Sequence, residues 1–167
     1  MLDVKTPLSK VHRASRRIAA TFTAVPGIWG YISTGVINNI ANNSTNQTQP
    51  KVLKMILGNA STSIYESNDI EVGSISIVEG VFRATVDGNG YQVLDSSATA
   101  LVYAAGDPLT PAYKITSTPA NTCAFADTAD IGKLRLALAG EIVVARVEVC
   151  DTVNSQLTFE TVTPYAL

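Results

Sequence analysis

From residue 51 onward, apolar and polar positions mostly alternate, and the apolar runs are short. Alternation at period two predicts half-buried β-strands. "KVLKMIL" (51–57), "TSIYE" (62–66) and "DIEVGSISIVEGVFRATV" (69–86) fit that pattern, with Gly73 read as a bulge. "DGNG" (87–90) predicts a hairpin turn, because Gly and Asn accept positive φ. "YQVL" (91–94), "TALVYAA" (99–105) and "AYKITS" (112–117) are read as further strands, with "GDPL" (106–109) turning the chain between the last two. "CAFADTAD" (123–130) is a connection or a single helical turn. "KLRLAL" (133–138), "EIVVARVEV" (141–149) and "QLTFETVT" (156–163) close the chain. Turn signals arrive about every 8–12 residues, the spacing of a compact barrel or sandwich.

The first half departs from this pattern. In residues 6–22, Thr6 suits an N-cap and Pro7 the first helical position. Leu8, Val11, Ser15, Ile18 and Phe22 then recur at steps of three and four, which reads as a short amphipathic helix. The β-favouring run from Thr21 to Val25 supports an extended arm instead. "PGIWGYISTGVI" (26–37) opens with a turn pair and continues into β-branched and aromatic residues. "NNIANNSTNQTQP" (38–50) is polar and uncharged, and reads as a long surface loop. The expected architecture is mainly β: a compact β-barrel or sandwich of short antiparallel strands. A basic N-terminal arm (1–25), helical in part or extended, precedes a single domain (26–167).

Composition sharpens this picture. Of 167 residues, 46% are apolar but only 16% are charged, against roughly 25% in an average soluble protein. Small and Thr-rich, the chain suits a β protein that buries surface against neighbours. Charge is uneven. Lys5, Lys10, Arg13, Arg16 and Arg17 stand against Asp3 alone in the first 17 residues, although the net charge of the chain is −2. A basic segment on an acidic body points to docking on a negative partner. Cys123 and Cys150 lack metal-ligand spacing and are expected as buried free thiols rather than a disulfide. No apolar run approaches the roughly 18 residues of a membrane-spanning helix.

Candidate chemistry is sparse. His12 is the single histidine and lies in the arm, a poor place for a Ser–His or Cys–His site. There is no nucleophile elbow, phosphate loop or dinucleotide fingerprint. Glu66, Asp69 and Glu71 form the densest carboxylate group, read as a solvated strand edge. Asp87 and Asn89 offer oxygen ligands for calcium, but the hairpin reading is the better one. Asp107, in "AAGDPLTPAY", reads as a turn former whose carboxylate bonds nearby N–H groups. Trp29 and Tyr31 are candidate interface anchors, with burial in the core the stronger reading for Trp29. No cofactor, metal or small-molecule substrate is expected, and the acidic body argues against direct nucleic-acid binding.

Three stretches carry a resemblance: "EGVFRATVDGNGY", "AAGDPLTPAYKITS" and "ADIGKLRLALAGEIVVARVEV". In that order they resemble the small β-rich capsid decoration (cement) proteins of tailed bacteriophages, over residues 69–163. In that family a "GDPL"-like turn leads into a strand, followed by a "GKL…A…G…V…V" segment. The resemblance implies a virion protein, made in the bacterial cytoplasm, that binds the outer face of an icosahedral shell. It implies the major capsid protein as partner and self-association, as a trimer on the shell, with no enzymatic activity. On this expectation Lys5, Lys10, Arg13, Arg16, Arg17, Trp29 and Tyr31 are partner-binding. The alternatives are a carbohydrate-binding or adhesin-like β module, or another virion component such as a tail-tube or fibre protein.

Overall fold

The computed structural model describes residues 1–6, 12–18, 26–40, 49, 51–57, 64–66, 69–71, 74–95, 98–113 and 130–167. It is mainly β, as expected. The larger sheet has six strands: β1 (Leu2–Val4), β9 (Arg83–Asp87), β13 (Gln156–Ala166), β12 (Ile142–Asp151), β10 (Pro108–Pro111) and β11 (Leu134–Leu136), in that spatial order. The smaller sheet contains β2 (His12–Ile18), β4 (Val36–Asn39), β3 (Trp29–Ser33), β5 (Leu53–Ile56) and β8 (Ser74–Glu79). Its strand β2 pairs with β8 on one side and, through two parallel pairs, with β4 on the other. This small sheet therefore closes on itself. The domain as a whole is a sandwich-like arrangement of two sheets rather than one barrel. A separate ribbon joins β6 (Ile64–Glu66) to β7 (Asp69–Glu71).

One apolar core serves both sheets. Trp29, Leu53, Met55 and Val78 from the small sheet pack with Ala84, Val86, Val144, Leu157 and Phe159 from the large one. On β9, Ala84 and Val86 share one face and are fully buried in this core, while on the other face Arg83 is exposed and Thr85 is buried. Thr85 and Thr158 face each other in register and share a 2.8 Å hydroxyl hydrogen bond, a stabilising cross-strand pair. The long β12–β13 ribbon is interrupted by two register shifts, between Val143 and Ala145 and between Val147 and Val149.

Several expectations change. The helix over 6–22 does not form at 12–18, where the chain is strand β2. A short helix is marginal by itself, whereas β8 offers a ladder of register pairs from His12↔Glu79 to Arg17↔Ser74. The N-terminal segment thus supplies one strand to each sheet, because β1 pairs with β9. Residues 7–11 and 19–25 lie outside the described residues. The turn at 87–90 forms, with Gly90 N–H donating to the Asp87 carbonyl at 2.8 Å, but it closes no hairpin. β9 already lies between β1 and β13, and Tyr91 bridges to Leu134 instead. Residues 91–94 and 99–105 make only isolated bridges. Conversely, β3 and β4 form a two-residue hairpin, with positive φ at Thr34 (50°) and Gly35 (78°), as a type I′ turn requires. The polar stretch begins as strand, since β4 runs through Asn39, and Ile40 is buried. Its described member near the far end, Gln49, acts like a strand mimic. Its Oε1 accepts from Ile142 N–H at 2.6 Å and its Nε2 donates to Thr110 Oγ1 at 2.6 Å. Residues 41–48, 114–117 and 123–129 lie outside the described residues.

Candidate functional site

The expected partner-binding residues occupy different environments. Lys5 is exposed and pairs with Asp3. Arg16 is partly buried on β2 and pairs with Glu79 at 3.1 Å. Arg13 and Arg17 share β2 with it, in register with Val78 and Ser74, and their side chains lie outside the description, as does all of Lys10. Trp29 is 5% exposed, so it is a core residue and not a free anchor. Tyr31, two residues on along β3, is half-buried. The structure therefore places Arg13, Arg16 and Arg17 on one strand and leaves Trp29 inside.

Asp107 performs the role its turn chemistry suggested. Its Oδ2 accepts from Ala104 N–H at 2.8 Å, and its own N–H donates to the Ala104 carbonyl at 3.1 Å. The flanking backbone is tied to β12, because Gly106 N–H donates to Val147 and Val147 N–H donates back to the Asp107 carbonyl. Glu66 and Asp69 stand opposite each other on the β6–β7 ribbon. Asp87 Oδ1 accepts from Asn89 N–H at 3.0 Å, a local turn contact. Among the described residues, no three His, Cys, Asp or Glu side chains come together as a metal site. Cys150 is a free thiol and is half-buried rather than buried; Cys123 lies outside the described residues.

The strongest electrostatic feature was not anticipated. Arg135 on β11 is fully buried and meets Glu141, itself 6% exposed, across the turn into β12. Nη2 donates to Oε1 at 2.6 Å and Nη1 to Oε2 at 2.7 Å, the bidentate geometry of the strongest charge pairs. Tyr113 O–H donates to Oε1 at 2.8 Å and Leu138 N–H to Oε2 at 2.8 Å. The Arg135 guanidinium also lies 5.4 Å from the Tyr113 ring centroid, within cation–π range. Burial pushes the Glu141 carboxyl up, but the bonds and charge of Arg135, with Leu138 and Tyr113, outweigh it and hold the group below the usual carboxylate range. The Tyr113 hydroxyl is pushed up to about 12, first by burial and then by its bond to Glu141. Every oxygen of the carboxylate is used by a structural donor and Arg135 has no solvent access. The cluster locks a turn; it offers no group to a substrate.

Two further surface features stand out among the described residues. A cavity of about 230 Å³ opens between the sheets, walled by Trp29, Leu53, Val78, Phe82 and Val144, with Lys54 beside it. Large apolar side chains also stand outward, Val102 at 77% and Val153 at 90% being the most exposed among the described residues. Comparison of the chain with protein-family models, with curated proteins and with solved structures finds no match.

Proposed function

We propose that this chain is a structural virion protein that binds the outer surface of a tailed-phage capsid and cements neighbouring major capsid subunits. The observation that carries this reading is where the resembling stretches lie. "EGVFRATVDGNGY", "AAGDPLTPAYKITS" and "ADIGKLRLALAGEIVVARVEV" supply β9, β10, β11 and most of β12, four strands of one sheet. A buried ion pair fastens the turn between two of them. Such a rigid sheet suits a protein whose work is to hold subunits at fixed spacing on a shell loaded by packaged DNA. In this reading the chain carries no catalytic centre, takes no cofactor and acts at the shell exterior.

The basic residues of β2 and Lys5 supply charge complementarity to an acidic shell surface, which sets orientation and association rate. Among the described aromatics, Trp29, Tyr91, Tyr103 and Tyr113 are buried, and Tyr31 and Tyr165 are half-buried, so the described residues offer the sugar-binding alternative few open ring faces. The test is co-sedimentation of the purified chain with undecorated shells of the phage that encodes it. Saturable binding at a fixed ratio to capsid subunits is expected. Failure to sediment with the shells at low and moderate salt would overturn the proposal.

A further inference from the structure

The β12–β13 ribbon carries an apolar knob at one end and lines an apolar socket near the other. The knob is Val153, 90% exposed at the tip of the turn between the two strands. A single exposed valine is ordinary; a valine held rigidly at a hairpin tip is less so. Asp151 Oδ1 accepts from the N–H groups of Val153 at 3.0 Å and Asn154 at 3.1 Å, and Oδ2 accepts from Asn154 Nδ2 at 2.7 Å. The side chain is thus presented on a pre-organised turn, which lowers the entropy lost when it is seated. Val149, 56% exposed on the approach to the tip, adds apolar surface beside it.

The socket is the cavity of about 230 Å³ whose walls include Trp29, Leu53, Phe82, Val144 and Pro164. It falls below the roughly 300–1,000 Å³ of small-molecule sites, and its size suits one or two aliphatic side chains. Charge is complementary as well: Lys54 stands at the socket and Asp151 beneath the knob. The knob cannot reach its own socket. Val144 and Asp151 both lie on β12, and the strand rise of about 3.3 Å per residue holds them on the order of 20 Å apart.

We propose that Val153 of one copy seats in the cavity beside Trp29 of a second copy, so that copies of this chain associate head to tail. The contact joins two different patches, so repetition closes a ring or extends a filament. The proposal deepens the self-association that the shell reading implies, but its test uses the purified chain alone, so its failure leaves shell binding untouched. The test is the mass of the full chain by sedimentation over a wide concentration range, with Val153→Asp and Val81→Arg. Val81 lines the cavity and is 54% exposed, so both changes are made at accessible positions, and unchanged thermal melts check folding. Wild type should rise above monomer mass with concentration. Each variant should weaken association at least about tenfold, because each puts a charge into an apolar contact. Mixed together, the two should regain association, since one keeps the socket and the other the knob. A wild type that stays monomeric, variants that associate like wild type, or a mixture that stays as weak as its components would each overturn the proposal.

Discussion

Replacing Glu141 by Gln keeps the side-chain shape and removes its charge, leaving the Arg135 guanidinium fully buried without a counter-ion. Breaking a buried pair from one side typically costs ~3–5 kcal/mol. The structure argues for the lower part of that range. Each Glu141 oxygen accepts two hydrogen bonds, and the Gln carbonyl can still accept two of the four. The new NH₂ must then face two donors, one of them an Arg135 nitrogen. At roughly 2–4 °C per kcal/mol for a domain of this size, the melting temperature should fall by on the order of 10 °C. Calorimetry measures this directly. Replacing all three members, with Arg135→Met, Glu141→Leu and Tyr113→Phe, should recover most of the loss, because no charge or hydroxyl is then left buried and unpaired. A Glu141→Gln melt within about 2 °C of wild type, or a triple variant no more stable than the single one, would refute the reasoning.

The same residue predicts an acid limb. Its carboxyl is held below the ordinary range when folded, and its unfolded value is about 4.3. The associated stability is present in full above that value and is lost as pH falls through the folded one. The gap between wild type and Glu141→Gln, followed by denaturant titration, should be constant above about pH 5 and narrow below about pH 4. Gly132→Ala should cost more than about 1 kcal/mol in the same titration, since φ is +84° and an added Cβ would lie 2.9 Å from the Trp29 carbonyl oxygen. Asp107→Ala should cost about 1 kcal/mol by thermal melt through loss of its bond to Ala104 N–H. The basic residues are best tested by Lys5, Lys10, Arg13 and Arg17→Gln together, because truncating residues 1–20 would remove β1 and β2. Shell co-sedimentation should weaken and lose its salt sensitivity, while binding equal to wild type would exclude the basic residues as contacts.

Local patterning revealed the strands but not their partners. Ile142 to Asp151 and Gln156 to Ala166 carry dense β-branched residues, and both are long strands. The 87–90 turn shows where such reading fails. Its chemistry predicts a reversal and a reversal occurs, yet nothing local says that β9 is flanked by β1 and β13. Those partners lie about 70–80 residues away in either direction, where sheet closure decides the pairing. Residues 12–18 fail for a related reason. Steps of three and four among Leu8, Val11, Ser15 and Ile18 are compatible with a helix, but strand pairing with β8 overrides that weak preference.

The buried pair was hidden by its alternation. In "KLRLAL", Arg135 lies between Leu134 and Leu136, and a strand with one face apolar ordinarily turns such a cation to water. That rule presumes one wet face. β11 has no wet face at Arg135: Leu134 and Arg135 are both buried, with Tyr113 and Glu141 against the guanidinium. The available signal was Glu141 itself, an acid directly after Gly140 and before an unbroken apolar run. An acid six residues from an arginine, across a tight turn, has the reach to meet it if both strands are covered on two sides. Two-sided coverage is a property of the whole fold, set here by the second sheet and by Tyr113 from the chain after β10. The pair therefore marks where tertiary burial, not strand periodicity, decided what an arginine does.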